Sequence, residues 1–182
     1  MGMHNARDSR MHPDPSMDQV ARALVAELLA AGKTLTTAES CTGGWVAKAI
    51  TDVAGSSGCF AYGFVSYSNE AKQALLGVDP ATLREHGAVS EATVREMARG
   101  ALAASGADVA VAISGIAGPE GGTADKPVGT VWFSFASGAS DRAEIDAALH
   151  RLPGDRDAVR RQSVMLALQG IRERITSAPR RK

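Results

Sequence analysis

The feature that most constrains this chain is VAVAI at residues 109–113, a run of apolar residues, β-branched at alternate positions, that gives a strand no polar face. Such a strand belongs inside a sheet covered on both sides, the usual setting of parallel strands in α/β proteins. The flanking segments agree with that setting. Val20, Leu24, Val25, Leu28 and Leu29 fall on one helical face, and the run starts at Met17 and stops at Gly32. KTLTTAE (33–39) reads as a short strand, SCTGG (40–44) as a turn and 44–53 as a second helix. A loop at 55–58 leads to a strand over 60–67, a helix over 69–76 and a loop around Pro80. Residues 90–104 form a long helix, with Ser90 as its N-cap and Glu91 in the first turn. After VAVAI comes a Gly-rich loop (114–127), then strands over 128–136 and 143–152. The final helix starts near Asp155 and carries Val164, Leu168, Ile171 and Ile175 on one face. This alternation predicts a single α/β domain, a three-layer α/β/α sandwich around a mostly parallel, mixed sheet.

A chain of 182 residues suits one domain. Lys+Arg and Asp+Glu are both 20, so the formal charge is zero, and no basic stripe marks a nucleic-acid partner. Two cysteines, Cys41 and Cys59, are too few for a disulfide framework and fit a reduced, cytosolic protein. No apolar run approaches the ~18 residues of a membrane span. The first 16 residues have no apolar central region, so they are read as a polar, disordered extension and not as a secretory leader. The domain is expected over 17–176, with a solvated tail at 177–182, and the cytoplasm is the default location.

In open α/β sheets ligands bind at the carboxyl ends of strands. Two strand ends here run into unusual loops, SCTGG and SGIAGPEGG, and both are expected on one rim. SCTGG sets Ser40 on a tight strand-to-helix turn, where main-chain N–H groups can stabilise an oxyanion. The same serine could equally be an ordinary helix cap. Cys41 is the rival nucleophile, though free cysteines are often small buried hydrophobes. The histidines offer no base: His4 and His12 fall in the extension, His86 in a loop and His150 in a late strand, none beside a carboxylate. With no HExxH or CxxC, neither a metal nor another cofactor is expected.

A base for Ser40 must then come from the lysines, Lys33, Lys48, Lys72, Lys126 and Lys182. Lys72 follows the strand ending near Tyr67 and begins its helix at the same rim. A Ser–Lys pair requires the amine to be neutral near pH 7, a fall of about 3 units from its reference value, worth about 4 kcal/mol. Desolvation supplies shifts of that size; a solvated helix lysine is the alternative. The Gly-rich loop at 114–122 can turn main-chain N–H groups toward an anion or can be a plain connector. Arg156, at the start of the last helix where the dipole disfavours a cation, is a candidate anion ligand. Arg160 and Arg161 are expected to be solvated.

Taken together, TAESCTGG (37–44), YSNEAK (67–72), HGAVSE (86–91), SGIAGPEGG (114–122), KPVGTVWF (126–133) and GDRDAVRRQ (154–162) resemble successive signatures of the CinA C-terminal-domain family. The resemblance runs from about Met17 to Ile175. It implies hydrolysis of the amide of nicotinamide mononucleotide, the activity of stand-alone members. It also implies a catalytic set of Ser40, Tyr67 and Lys72, and a substrate site drawn from Cys41, Thr42, Gly43, Ser114, Gly115, Ala117 and Arg156. Many relatives carry Thr at the position of Ser114, which keeps the hydroxyl. Larger relatives have an additional N-terminal domain that is absent here. A homodimer is the family-level expectation. The competing readings are a non-enzymatic regulatory module linked to competence and DNA damage, or an amidase for another small amide.

Overall fold

The computed structural model describes residues 15–177. The extension expected over 1–16 lies outside them except for Pro15 and Ser16, and so does the tail from 178. Ser16 belongs to the fold: its hydroxyl accepts from the Gln19 N–H, while the Gln19 side chain accepts from the Ser16 N–H. This reciprocal cap starts α1 (Met17–Ala31). Next come β1 (Leu35–Glu39), α2 (Trp45–Thr51), β2 (Phe60–Val65) and α3 (Asn69–Leu76). Then follow α4 (Pro80–His86), α5 (Glu91–Ser105), β3 (Val109–Gly115), β4 (Thr130–Ser137), β5 (Glu144–Arg151) and α6 (Arg156–Ser177).

Helix α4 corrects the expected loop around Pro80. Asp79 caps it through the Ala81 N–H, and Pro80 stands in the first turn, where a missing N–H costs nothing. His86 therefore closes a helix. Strand β2 is shorter than the expected 60–67. Its last rung is the Ser66 N–H on the Glu39 carbonyl, after which the Ser66 and Tyr67 carbonyls face a side chain instead of a strand.

The five strands lie in the order β2-β1-β3-β4-β5. β1 pairs in parallel with β2 and β3, and β4 is antiparallel to both β3 and β5. Four strands thus run one way and β4 alone runs back, so the carboxyl ends of β1, β2, β3 and β5 share a rim. One face carries Leu35, Val109, Val111, Ile113, Val131, Phe133 and Phe135, which pack with α1, α2 and α6. The other carries Ala38, Ala110, Ala112 and Ala136, packed with buried residues of α3, α4 and α5. The small residues on this second face let α5 lie close to the sheet. At Gly100 of α5 an added Cβ would stand 1.9 Å from the Leu76 carbonyl oxygen, so helices α3 and α5 touch through backbone. The alternation of large and small side chains is why VAVAI is apolar on both faces.

Candidate active site

Parallel register sets the two rim loops side by side. Glu39 pairs with Ile113 across β1 and β3, and the Ser40 N–H donates to the Ile113 carbonyl at 3.0 Å. Ser40 and Ser114 are therefore neighbours at the sheet edge, as the sequence suggested. The chain then turns sharply through Gly43 (φ +62°) and Gly44 (φ +89°), conformations that L side chains rarely adopt. That turn delivers Ser40 and the start of α2 within four residues.

The turn is held by a residue that sequence reasoning passed over. Glu39 is fully buried at the end of β1, and its carboxylate accepts the N–H groups of Gly44 (3.0 Å), Val46 (3.0 Å) and Ala47 (2.9 Å). These are orphan donors of the α2 N-terminus, which has no side-chain cap of its own. The Gly43 N–H donates to the Ser40 carbonyl and that of Trp45 to the Thr42 carbonyl. Among the described residues, the Thr42 N–H donates to no other group of the protein, and the Cys41 N–H meets only its own sulfur.

Lys72 is almost completely buried, in the first turns of α3, with Ser68 capping the helix. Its Nζ lies 3.0 Å from Ser40 Oγ, 2.8 Å from the Ser66 carbonyl oxygen and 3.4 Å from the Tyr67 carbonyl oxygen. Two of these partners can only accept, whereas the hydroxyl can also donate. A neutral amine with two N–H bonds on the carbonyls aims its lone pair at Ser40. Burial lowers the Lys72 pKa from the ordinary 10.5, and the nearby Cys41 sulfur only partly opposes it. Ser66 Oγ, after β2, and Thr42 Oγ1, in the turn after β1, are buried without a hydrogen-bond partner.

The other sequence candidates divide into groups. The Cys41 thiol is buried and its pKa is raised to about 11, by desolvation first and by Glu39 as well. Gly43 lies exposed on the turn and Thr42 is buried beneath it. The Ser114 hydroxyl donates to the Ala88 carbonyl at 2.7 Å, tying β3 to the segment before α5. Gly115 admits no side chain, since a Cβ would stand 2.9 Å from the Thr130 carbonyl oxygen. Ala117 packs its methyl into the larger core cluster. The loop after β3 is pinched at its base by Ile116 N–H on Thr130 O and Gly129 N–H on Ile116 O, both 2.8 Å.

The Tyr67 hydroxyl does not join Lys72; it accepts from Arg156 Nη2 at 3.0 Å, while Arg156 Nη1 donates to the Gly118 carbonyl at 2.7 Å. Arg156 thus links the β2–α3 segment to the Gly-rich loop at the mouth of the site. Arg160 is not solvated, contrary to expectation. It is half-buried, donating from Nε to the Cys41 carbonyl (3.1 Å) and from Nη2 to the Thr42 carbonyl (3.0 Å), with its guanidinium 5.2 Å from the Trp45 ring centroid. Arg161 is exposed and paired with Asp157. His150 packs edge-on against Phe133, away from this site.

The model of the CinA C-terminal domain matches residues 17–175, nearly the whole chain. The chain belongs to the CinA C-terminal domain family. A nicotinamide-nucleotide amidohydrolase, PncC, of Escherichia coli K12 is 58% identical over 158 residues, spanning 87% of this chain and 94% of that protein. A CinA-like protein of Geobacter sulfurreducens is 53% identical over 147 residues, but they make up only 35% of its length. The crystal structure of a competence-damaged protein (CinA) superfamily member from Klebsiella pneumoniae superposes with a TM-score of 0.85 at 41% identity. It covers 90% of this chain and 100% of that one. Single-domain and longer relatives therefore share this unit.

Proposed function

We propose that this protein is a nicotinamide-nucleotide amidohydrolase, converting nicotinamide mononucleotide to nicotinate mononucleotide and ammonia through an acyl-enzyme on Ser40. The observation that carries the mechanism is the 3.0 Å contact between Ser40 Oγ and a buried Lys72 Nζ whose pKa is lowered by burial. The substrate assignment rests on 58% identity to an enzyme of that name over nearly all of both chains.

Ser40 Oγ attacks the carboxamide carbon as its proton passes to the neutral Lys72 amine. The oxyanion is received by the unspent N–H of Thr42, with the Cys41 N–H beside it. Collapse of the tetrahedral intermediate breaks the C–N bond, and the Lys72 ammonium returns its proton to the departing nitrogen, which leaves as ammonia. The product is an ester on Ser40. Water then attacks the ester carbon, giving a proton to Lys72. When the C–O bond to Ser40 breaks, that proton restores the hydroxyl and the carboxylate product departs. Tyr67 takes its part by holding Arg156 at the mouth, and its main chain helps orient Lys72.

Arg156 is assigned to the substrate phosphate. Its guanidinium has further N–H groups beyond the two directed at Gly118 and Tyr67. A charge-assisted contact of this kind is worth about 1.5–3 kcal/mol. Nicotinamide riboside should therefore be a much poorer substrate than the mononucleotide. Arg156→Ala should raise KM for the mononucleotide and leave the riboside nearly unaffected; equal damage to both would assign Arg156 to the fold. Zero net charge speaks against a nucleic-acid partner. Two free, buried cysteines support a cytoplasmic setting. The edge strand β2, with Tyr62 and Val65 exposed, is the surface offered for a homodimer. Among the described residues no helix is long and apolar enough to cross a membrane.

The primary experiment is ammonia release from the mononucleotide by purified protein. Ser40→Ala should remove several orders of magnitude of turnover, and Cys41→Ala should retain most of it. The nucleophile assignment is falsified if these two results are reversed. Absence of ammonia release from the wild type would favour the regulatory-module reading.

A further inference from the structure

The N–H groups of the nucleophile turn are almost all committed. Gly44, Val46 and Ala47 donate to Glu39, Ser40 to Ile113, Gly43 to Ser40 and Trp45 to Thr42, which leaves that of Cys41, turned on its own sulfur, and that of Thr42. What fixes the direction of the Thr42 N–H lies on the other side of its own peptide. The Cys41 carbonyl and the Thr42 N–H belong to one trans peptide group, so they point in opposite directions. The Arg160 Nε takes the Cys41 carbonyl at 3.1 Å, and its Nη2 takes the next carbonyl, that of Thr42, at 3.0 Å.

Among the described residues no carboxylate pairs with Arg160, so this cation serves main-chain oxygens. Trp45 backs the guanidinium, and the left-handed Gly43 passes it with room for no more than van der Waals contact, a Cβ there standing 3.6 Å from Nη2. A cation on a carbonyl also polarises the peptide and strengthens the N–H at its far end, because hydrogen bonds in series reinforce one another. Two separate nitrogens of the planar guanidinium fork take the two carbonyls, a rigid arrangement that the single nitrogen of a lysine does not reproduce.

We propose that Arg160 is a positioning residue for catalysis: by clamping the Cys41 and Thr42 carbonyls it aims and polarises the Thr42 N–H as a donor to the oxyanion. The assignment rests on Ser40 being the nucleophile. Arg160 acts through the Cys41 and Thr42 carbonyls and makes no hydrogen bond to Ser40 or Lys72.

The test is steady-state kinetics on the full chain with nicotinamide mononucleotide, using Arg160→Ala, Arg160→Lys, Arg161→Ala and Ser40→Ala. Loss of one preorganised oxyanion donor typically lowers kcat by about 100- to 1000-fold, so Arg160→Ala should lose roughly 100-fold in kcat with KM within about twofold. The pH dependence of the residual rate should keep its wild-type shape, since Lys72 is untouched. Added methylguanidinium should restore part of kcat in Arg160→Ala and nothing in Ser40→Ala. Arg160→Lys, which keeps the charge but loses the rigid fork, should fall between, and it carries the test alone if the alanine variant does not fold. Arg161→Ala should behave as wild type. A wild-type kcat in Arg160→Ala or Arg160→Lys overturns the proposal, as does a rise in KM at constant kcat. Activity retained by Ser40→Ala would instead overturn the nucleophile reading on which it rests.

Discussion

Lys72 on α3 and Cys41 on the turn after β1 are both buried beside Ser40, and burial has opposite chemical consequences for them. For an amine, desolvation disfavours the charged form and so supplies a free base; for a thiol it disfavours the thiolate and so removes a nucleophile. The rate should therefore rise with pH as Lys72 loses its proton, and the midpoint should fall below the 10.5 of an ordinary lysine. Lys72→Arg keeps the charge but cannot give up its proton near neutrality, so it should be nearly inactive at every pH up to 9. A wild-type rate in that variant would remove Lys72 as the base. The same buried amine makes stability pH-dependent. Because its folded pKa is the lower one, the unfolded chain binds more protons between the two values, and stability should rise with pH across that window. Cys41, with its thiol raised to about 11, should react with iodoacetamide at pH 7.5 far more slowly than a free thiol of ordinary pKa. Rapid alkylation with parallel loss of activity would reopen the thiol as nucleophile.

The β1–turn–α2 unit shows what a sequence displays and what it conceals. SCTGG is legible as a candidate because a hydroxyl before paired glycines at a strand end fits a nucleophile turn, though it fits a helix cap as well. Glu39 is not, because in isolation a glutamate at a strand end is indistinguishable from a solvated one. Its three partners are main-chain N–H groups, which leave no mark in the sequence. Arg160 is hidden for the same reason, its partners being carbonyls, while Arg156 was legible through its position at a helix start. Glu39→Gln keeps one acceptor oxygen but sets an NH2 group against a buried N–H. The loss should be about 1.5–3 kcal/mol, or roughly 3–12 °C in Tm for a chain of this size. Calorimetry together with kcat is the measurement; an unchanged Tm would mean the turn holds itself. Helix α4 stands where a loop around Pro80 was expected, although Asp79 and Pro80 form a regular start signal.

At the scale of the whole molecule, the alternation of elements was enough to anticipate three layers, and VAVAI enough to centre the sheet on β3. Unforeseen was how closely the layers approach, since that depends on backbone at Gly100 meeting backbone at Leu76. Leu76 lies one turn beyond Lys72 on α3, so the packing of α5 helps set the distance from Nζ to Ser40. Gly100→Ala should cost about 1–3 kcal/mol as an overpacked contact, and it should lower kcat as well, though residue 100 lies outside the site. A lower Tm with wild-type kcat would uncouple that packing from the dyad. The pinched base of the loop after β3 has a consequence of a different kind. The two bonds between Ile116, Gly129 and Thr130 close a neck, so the exposed tip over 119–124 can be lengthened, shortened or exchanged while Ser114, Ala117, Gly118 and Thr130 stay put. The Glu39 turn tolerates no such editing, because one inserted residue would pull its N–H groups off the carboxylate. A protein built this way is divisible for evolution and for an engineer alike: a fixed reactive cassette beside a replaceable collar, in which new substrates are learned by recutting the collar.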